Sequence, residues 1–248
     1  MVETIDIKAR WDARKESAAD CAGRMFRFLR RLAACDEVFA QGWLKCGNSL
    51  EEALQNKVRV SQEILQNVFE RGRNRRDKDK SVIEELGFYS GRFWNGLDRE
   101  AAHVSVHCGA YVDPAKMPGI NEVGIQPPYV GAAADRLLQA EKLREIVTLL
   151  AEEWNPDWVR ASTFQVDEIL YPVRPYRGQR VGWLTYISAR YGPLPPLPPN
   201  CRSLPINDTG NLIVIDGIIR VSEKNSGDVK KLKELSACLD EAGFLTEI

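Results

Sequence analysis

An α+β fold is what the order of patterns along this 248-residue chain predicts: one domain, residues 1–248, with a largely antiparallel sheet packed by several helices. Strand-like runs come in groups instead of alternating singly with helices, which argues against a parallel βαβ architecture. Tight-turn signals such as Asn95-Gly96 join neighbouring runs, as antiparallel pairs require. No internal repeat is present, and no flexible linker divides the chain, because the Pro-rich stretch at 193–199 is short and is followed by more strand.

The elements follow in order. "TIDIKARW" alternates apolar and polar residues and reads as a first strand. Ser17 with Asp20 three residues on resembles a capping box. Behind it Cys21, Met25, Phe28, Leu29 and Leu32 share one face of a helix of about five turns, with Arg24, Arg27 and Arg31 on another. "FAQGWLK" reads as a short strand around Trp43, and "NSLEEALQN" as a short capped helix. A helix from Ser61 to Gly72 buries Ile64, Leu65, Val68 and Phe69, and "RGRNRRDKDKS" reads as a solvated, mobile loop. "LGFYSGRFWNG", "AAHVSVHCGAYV" and "NEVGIQPP" predict three neighbouring strands. "AAADRLLQAEKLREIVTLLAEEW" predicts one long helix with Leu143, Ile146, Val147, Leu150 and Trp154 inward, stopped by Asn155-Pro156. Strands are expected at "WVRASTFQV", "RVGWLTYIS" and "NLIVIDG", then a last helix from Ser226 to near Gly243. In "VGWLTYIS" both alternating faces are bulky, so this strand is expected to be central, with Gly182 admitting a close neighbour. The prolines behind it must leave the sheet as a stiff loop.

Composition bounds the function classes. The charged fraction is 28% and the net charge −1, ordinary for a soluble globular protein. No apolar run approaches the ~20 residues that span a bilayer, and the first residues carry charges with no apolar leader, so a cytoplasmic location without membrane contact is expected. The six cysteines form no CxxC pair and read as reduced, mostly buried thiols. Charge is uneven: residues 81–170 hold 14 acidic against 7 basic side chains. An acidic middle repels nucleic acid and attracts a basic partner. The six basic residues of 71–81 lack the aromatics or recognition helix of a nucleic-acid site, so no direct nucleic-acid binding is expected.

The search for chemistry yields no catalytic set. His103 and His107 are the only histidines. In a strand their Cα atoms would be ~13 Å apart, too far to share one ion, and H-E-x-x-H lacks its glutamate here. A metal-dependent hydrolase or nuclease built on these two residues is the alternative reading, and an adaptor read through "PLPPLPP" is another. No G-x-S-x-G, phosphate loop or E-x-K arrangement occurs, and no cofactor or metal is expected. The crowded aromatics Phe88, Tyr89, Phe93 and Trp94, beside acidic residues, suggest a protein-binding surface of anchors inside a charged rim. The expected contacts are Trp94, Asp98, Glu100, Asp113, Glu122, Asp167 and Glu168.

The run "RWDARKESAADCAGRMFRFLRRLAACDEVFAQGW", then "SLEEAL", then "VGWLTYIS" with a proline run and "GNLIVI" behind it, resembles the immunity protein 52 family of bacterial polymorphic-toxin systems, over roughly residues 5–220. The most specific pieces are Trp43 after the first helix, and Gly182, Trp183 and Tyr186. The resemblance implies an antitoxin that is not an enzyme. It would bind a cognate toxin, a DNase of restriction-endonuclease type delivered by a type VI secretion system, by occluding its active site or holding it in an inactive assembly.

Overall fold

A computed structural model describes residues 5–117, 120–171, 179–222 and 224–245. Its contacts gather the chain into two compact units, Arg10–Gln126 and Met1–Ala9 with Pro127–Ile248. The fold is α+β with antiparallel strands, as expected. The strand predicted from Thr4 is described from Ile5: β1, Ile5–Trp11, runs through the boundary between the units.

The Arg10–Gln126 unit contains, in chain order, α1 (Ala18–Cys35), β2 (Trp43–Lys45), α2 (Leu50–Gln55), β3 (Lys57–Val58), α3 (Gln62–Arg71), β4 (Phe88–Trp94), β5 (His103–Cys108) and β6 (Asn121–Gln126). Its strands lie in the order β3-β2-β4-β5-β6, each recorded pair antiparallel. The capping box of α1 is present: Ser17 Oγ accepts the Asp20 N–H at 3.1 Å, and the Asp20 carboxylate accepts the Ser17 N–H at 3.1 Å. Cys21, Met25, Phe28, Leu29 and Leu32 are buried together, as their spacing predicts, and α1 packs on α3 through Leu65 and Phe69.

Two expectations change in this unit. The strand around Trp43 is only three residues, because Asp36 accepts the Val38 N–H at 3.0 Å and winds Glu37–Phe39 into a 3₁₀ turn. The charged segment 71–81 is largely exposed, and it folds into a hydrogen-bonded hairpin. The Arg76 N–H donates to the Ser81 carbonyl (2.9 Å), the Ile83 N–H to the Asn74 carbonyl (2.8 Å), and Arg73 is paired with Glu70 and Glu84. Short polar side chains bonded to nearby backbone close the turn: Asp79 accepts the Ser81 N–H at 3.0 Å.

The second unit contains α4 (Gly131–Leu137), α5 (Ala140–Trp154), β7 (Trp158–Thr163), α6 (Phe164–Leu170), β8 (Leu184–Ser188), β9 (Cys201–Ile206), β10 (Gly210–Ile215) and α7 (Ser226–Glu241). Its strands run in the order β1-β7-β8-β10-β9. The single long helix of the sequence pattern is broken. Gln139 is extended, and the Ala140 N–H donates to the Ile219 carbonyl at 2.8 Å, so α4 and α5 are separate. Asn155, in the left-handed conformation (φ 43°), ends α5 where predicted. β7 stops at Thr163, whose hydroxyl caps α6, so "FQV" is helical and not strand.

β8 is buried along its whole length, as both bulky faces predict, although it starts at Leu184 and leaves Gly182 outside. β9, which contains Pro205, has no counterpart among the expected strands. It lies at the edge, where a missing N–H is tolerated.

Candidate partner-binding surface

The aromatic run of β4 ends at Trp94, which lines a groove of the Arg10–Gln126 unit. Phe88 and Ser90 point into the core and Tyr89 out. The β4–β5 register then shifts between Tyr89 and Arg92, at Gly91 with φ 74°. Phe93 and Trp94 face opposite sides of the sheet beyond this bulge, and both are buried. Trp94, expected as an exposed anchor, is instead 8% exposed, its indole N–H donating to the Leu97 carbonyl at 3.3 Å. The exposed aromatic of the strand is Tyr89, edge-on to His107.

The turn after β4 is held by buried Asn95. Its amide donates to the carbonyls of Val38 (3.2 Å) and Glu100 (2.9 Å), and its oxygen accepts the N–H groups of Leu97 (3.3 Å) and Ala102 (3.0 Å). The turn therefore presents exposed Asp98 and half-buried Glu100 on a fixed frame. Facing it, Ser49 caps α2 by accepting the Glu52 N–H at 3.1 Å, and the Glu52 carboxylate takes the Asn48 N–H at 2.8 Å. This turns Ala53 inward and leaves Leu50 61% and Leu54 52% exposed. Between them lies a groove of about 410 Å³, lined by Cys46, Gly47, Asn48, Ser49, Leu50, Ala53, Trp94, Ala101 and His103. The elements that line it carry charges of both signs: Glu51 on α2, Lys57 on β3, Arg92 on β4, and Asp98, Arg99 and Glu100 on the turn after β4.

The other expected contacts do not join this groove. Trp94 pairs with His103 at one end of β5, whereas Glu122 pairs with His107 near the other end and is bound to Arg10 at 2.7 Å. Asp113, beyond β5, closes its own turn by accepting the Ala115 N–H at 3.0 Å. Asp167 and Glu168 belong to the second unit, on α6 and not in a strand or turn. Glu168 is exposed. Asp167 is not: it takes a 2.5 Å hydrogen bond from Arg160 and another from Ser162 at 2.8 Å, with Arg180 at 3.4 Å. Glu122 and Asp167, two carboxylates of the acidic middle, are thus each engaged by an arginine. Leu50 and Leu54 were missed because a capped, acidic six-residue helix reads as surface; their i, i+4 spacing was the available signal.

His103 and His107 do lie on one face of β5. His107 Nε2 is 2.8 Å from the Leu86 carbonyl. Among the described residues no three His, Cys, Asp or Glu side chains are arranged to hold a metal ion. Cys108 contacts Cys21 in the core, and burial pushes its thiol well up.

The Immunity protein 52 family model matches residues 3–248. The chain belongs to the Imm52 family. No curated protein matches it. A Pseudomonas aeruginosa T6SS protein, PA0821, has a similar solved structure, with TM-score 0.51 and 14% identity over 94% of this chain and 73% of that one. At that identity the likeness is one of fold. The Imm52 residues carrying the sequence resemblance are core: Trp43, Trp183 and Tyr186 are buried. Gly182 is a close approach, where a Cβ would stand 2.3 Å from the Ala161 carbonyl oxygen. No helix among the described residues is long and apolar enough to cross a membrane.

Proposed function

We propose that this Imm52 protein neutralises a cognate secreted nuclease by stoichiometric binding, not by turnover, in the cytoplasm where such a toxin would meet DNA. Family membership supports the immunity role. The observation that carries the choice of surface is Leu50, strongly exposed and lining the groove together with Trp94, with Leu54, also strongly exposed, one turn further along the same short helix. Apolar anchors on a fixed frame inside a charged rim are the usual composition of a tight protein interface. Asp98 and Glu100, on the turn that follows Trp94, would meet the basic surface that a nuclease needs for DNA.

The test uses the toxin encoded beside the gene. Replacing Leu50 and Leu54 together by Asp is expected to weaken binding by ~100-fold. Asp98→Lys with Glu100→Lys is expected to slow association several-fold, most at low salt. Full affinity in both variants would remove the groove from the interface. Absence of DNA cleavage by the free toxin would overturn the nuclease reading and leave the binding result standing.

A further inference from the structure

The unit containing residues 127–248 carries a second apolar feature, unrelated to the groove over Trp94. Ile219 is 79% exposed, yet the loop that bears it is fixed. Its carbonyl accepts the Ala140 N–H (2.8 Å), the Val221 N–H donates to the Leu138 carbonyl (3.0 Å), and Arg220 is paired with Asp135 (3.2 Å). The same loop, through Ile218 and Val221, walls a pocket of about 180 Å³ whose lining is mixed, with Trp183, Leu184 and Val214 at its apolar side and the charged Glu141, Arg144, Arg202 and Asp216 at its mouth. A preorganised apolar knob therefore follows directly, in the chain, a wall of a hole of mixed lining large enough for one aliphatic side chain.

We propose that this face docks a second copy of the chain, Ile219 of each copy entering the pocket of the other about a twofold axis. Knob and hole on one face make it self-complementary, as an isologous interface requires. Charge points to the same occupant. The pocket is flanked by two opposite-sign pairs, Glu141 with Arg144 (2.8 Å) and Arg202 with Asp216 (2.7 Å), all four side chains at least 40% exposed. The face carries no net charge, so two copies meet without repulsion, and a twofold can exchange partners between the pairs. A strongly charged partner would find no complement there. The fixed loop gives up little conformational freedom on docking.

Sedimentation equilibrium of the full chain over ~1–100 µM tests the proposal. A dimer is expected, with Ile219→Asp weakening it by at least ~100-fold, because the loss repeats at both knobs. Ile219 is exposed, so the variant should keep the wild-type melting temperature, which is measured alongside. Glu141→Arg, which makes the face net positive, is expected to weaken the dimer more at 50 mM than at 500 mM salt. A wild-type monomer at ~100 µM, or a dimer indifferent to Ile219→Asp, overturns the proposal. So does a monomer in which Ile219→Asp instead lowers toxin affinity, since the knob would then belong to the toxin. None of these outcomes bears on the groove over Trp94, which has its own variants.

Discussion

Asp167 and Arg160 form a 2.5 Å hydrogen-bonded ion pair in which the side chains are only 14% and 13% exposed. Ser162 and Arg180 converge on the same carboxylate, and Asp6 stands 4.0 Å from Arg160. Removing one partner of such a pair strands a charge away from water. Asp167→Ala is therefore expected to destabilise the fold by about 3 kcal/mol, whereas Glu168→Ala, one residue on and exposed, should cost at most about 0.5 kcal/mol. Urea denaturation of the two variants checks this. Similar midpoints would show that the Arg160 network contributes little. The comparison also decides how binding data are read, because a toxin-affinity loss in Asp167→Ala would report folding before contact.

Gly182 and Ala161 make the tightest demand in the family-signature segment. Alanine at Gly182 would bring its Cβ to 2.3 Å from the Ala161 carbonyl oxygen, which is backbone and cannot rotate away. Gly192 is a contrasting case, with a left-handed φ of 84° but nothing within 4 Å of its would-be Cβ. Gly182→Ala should cost about 3 kcal/mol through overpacking, and Gly192→Ala, at φ 84° and ψ −168°, about 2 kcal/mol through conformation alone. If thermal melts rank them the other way, the backbone near Gly182 and Ala161 yields enough to admit a methyl group.

Periodicity located the buried faces well, because burial of an apolar stripe is a local property of the pattern. Cys21 to Leu32 in α1 and Leu143 to Trp154 in α5 are the examples. It failed where a side chain or a distant carbonyl captured the backbone. Thr163 capped a helix inside an expected strand, Asp36 wound Phe39 out of another, and Ile219 broke a helix at Gln139. The division into two units has no composition signal, since it falls inside β1 and at Pro127 with no Gly/Ser linker at either place. For the surface, the sequence places Asp98 and Glu100 on the turn after Trp94, but it does not give the tertiary partners of Glu122 and Asp167. Charge counts along a chain do not say which carboxylates meet an arginine.

His103 makes stability depend on pH. It lines the groove, and its Nδ1 is buried with no hydrogen-bond partner among the described residues. Burial, with a smaller contribution from the nearby Arg92 cation, lowers its pKa below the ordinary imidazole value. The unfolded chain then takes up a proton at a pH where the folded one stays neutral, so the unfolded state binds more protons and stability rises with pH. The contribution of neutral His103 is full above about pH 6.5 and is lost as pH falls through the lower folded value. His103→Gln removes the titrating group, so its urea midpoint should change less than that of the wild type between about pH 7.5 and 5. Parallel pH curves for the two proteins would show that His103 is as well solvated in the fold as out of it.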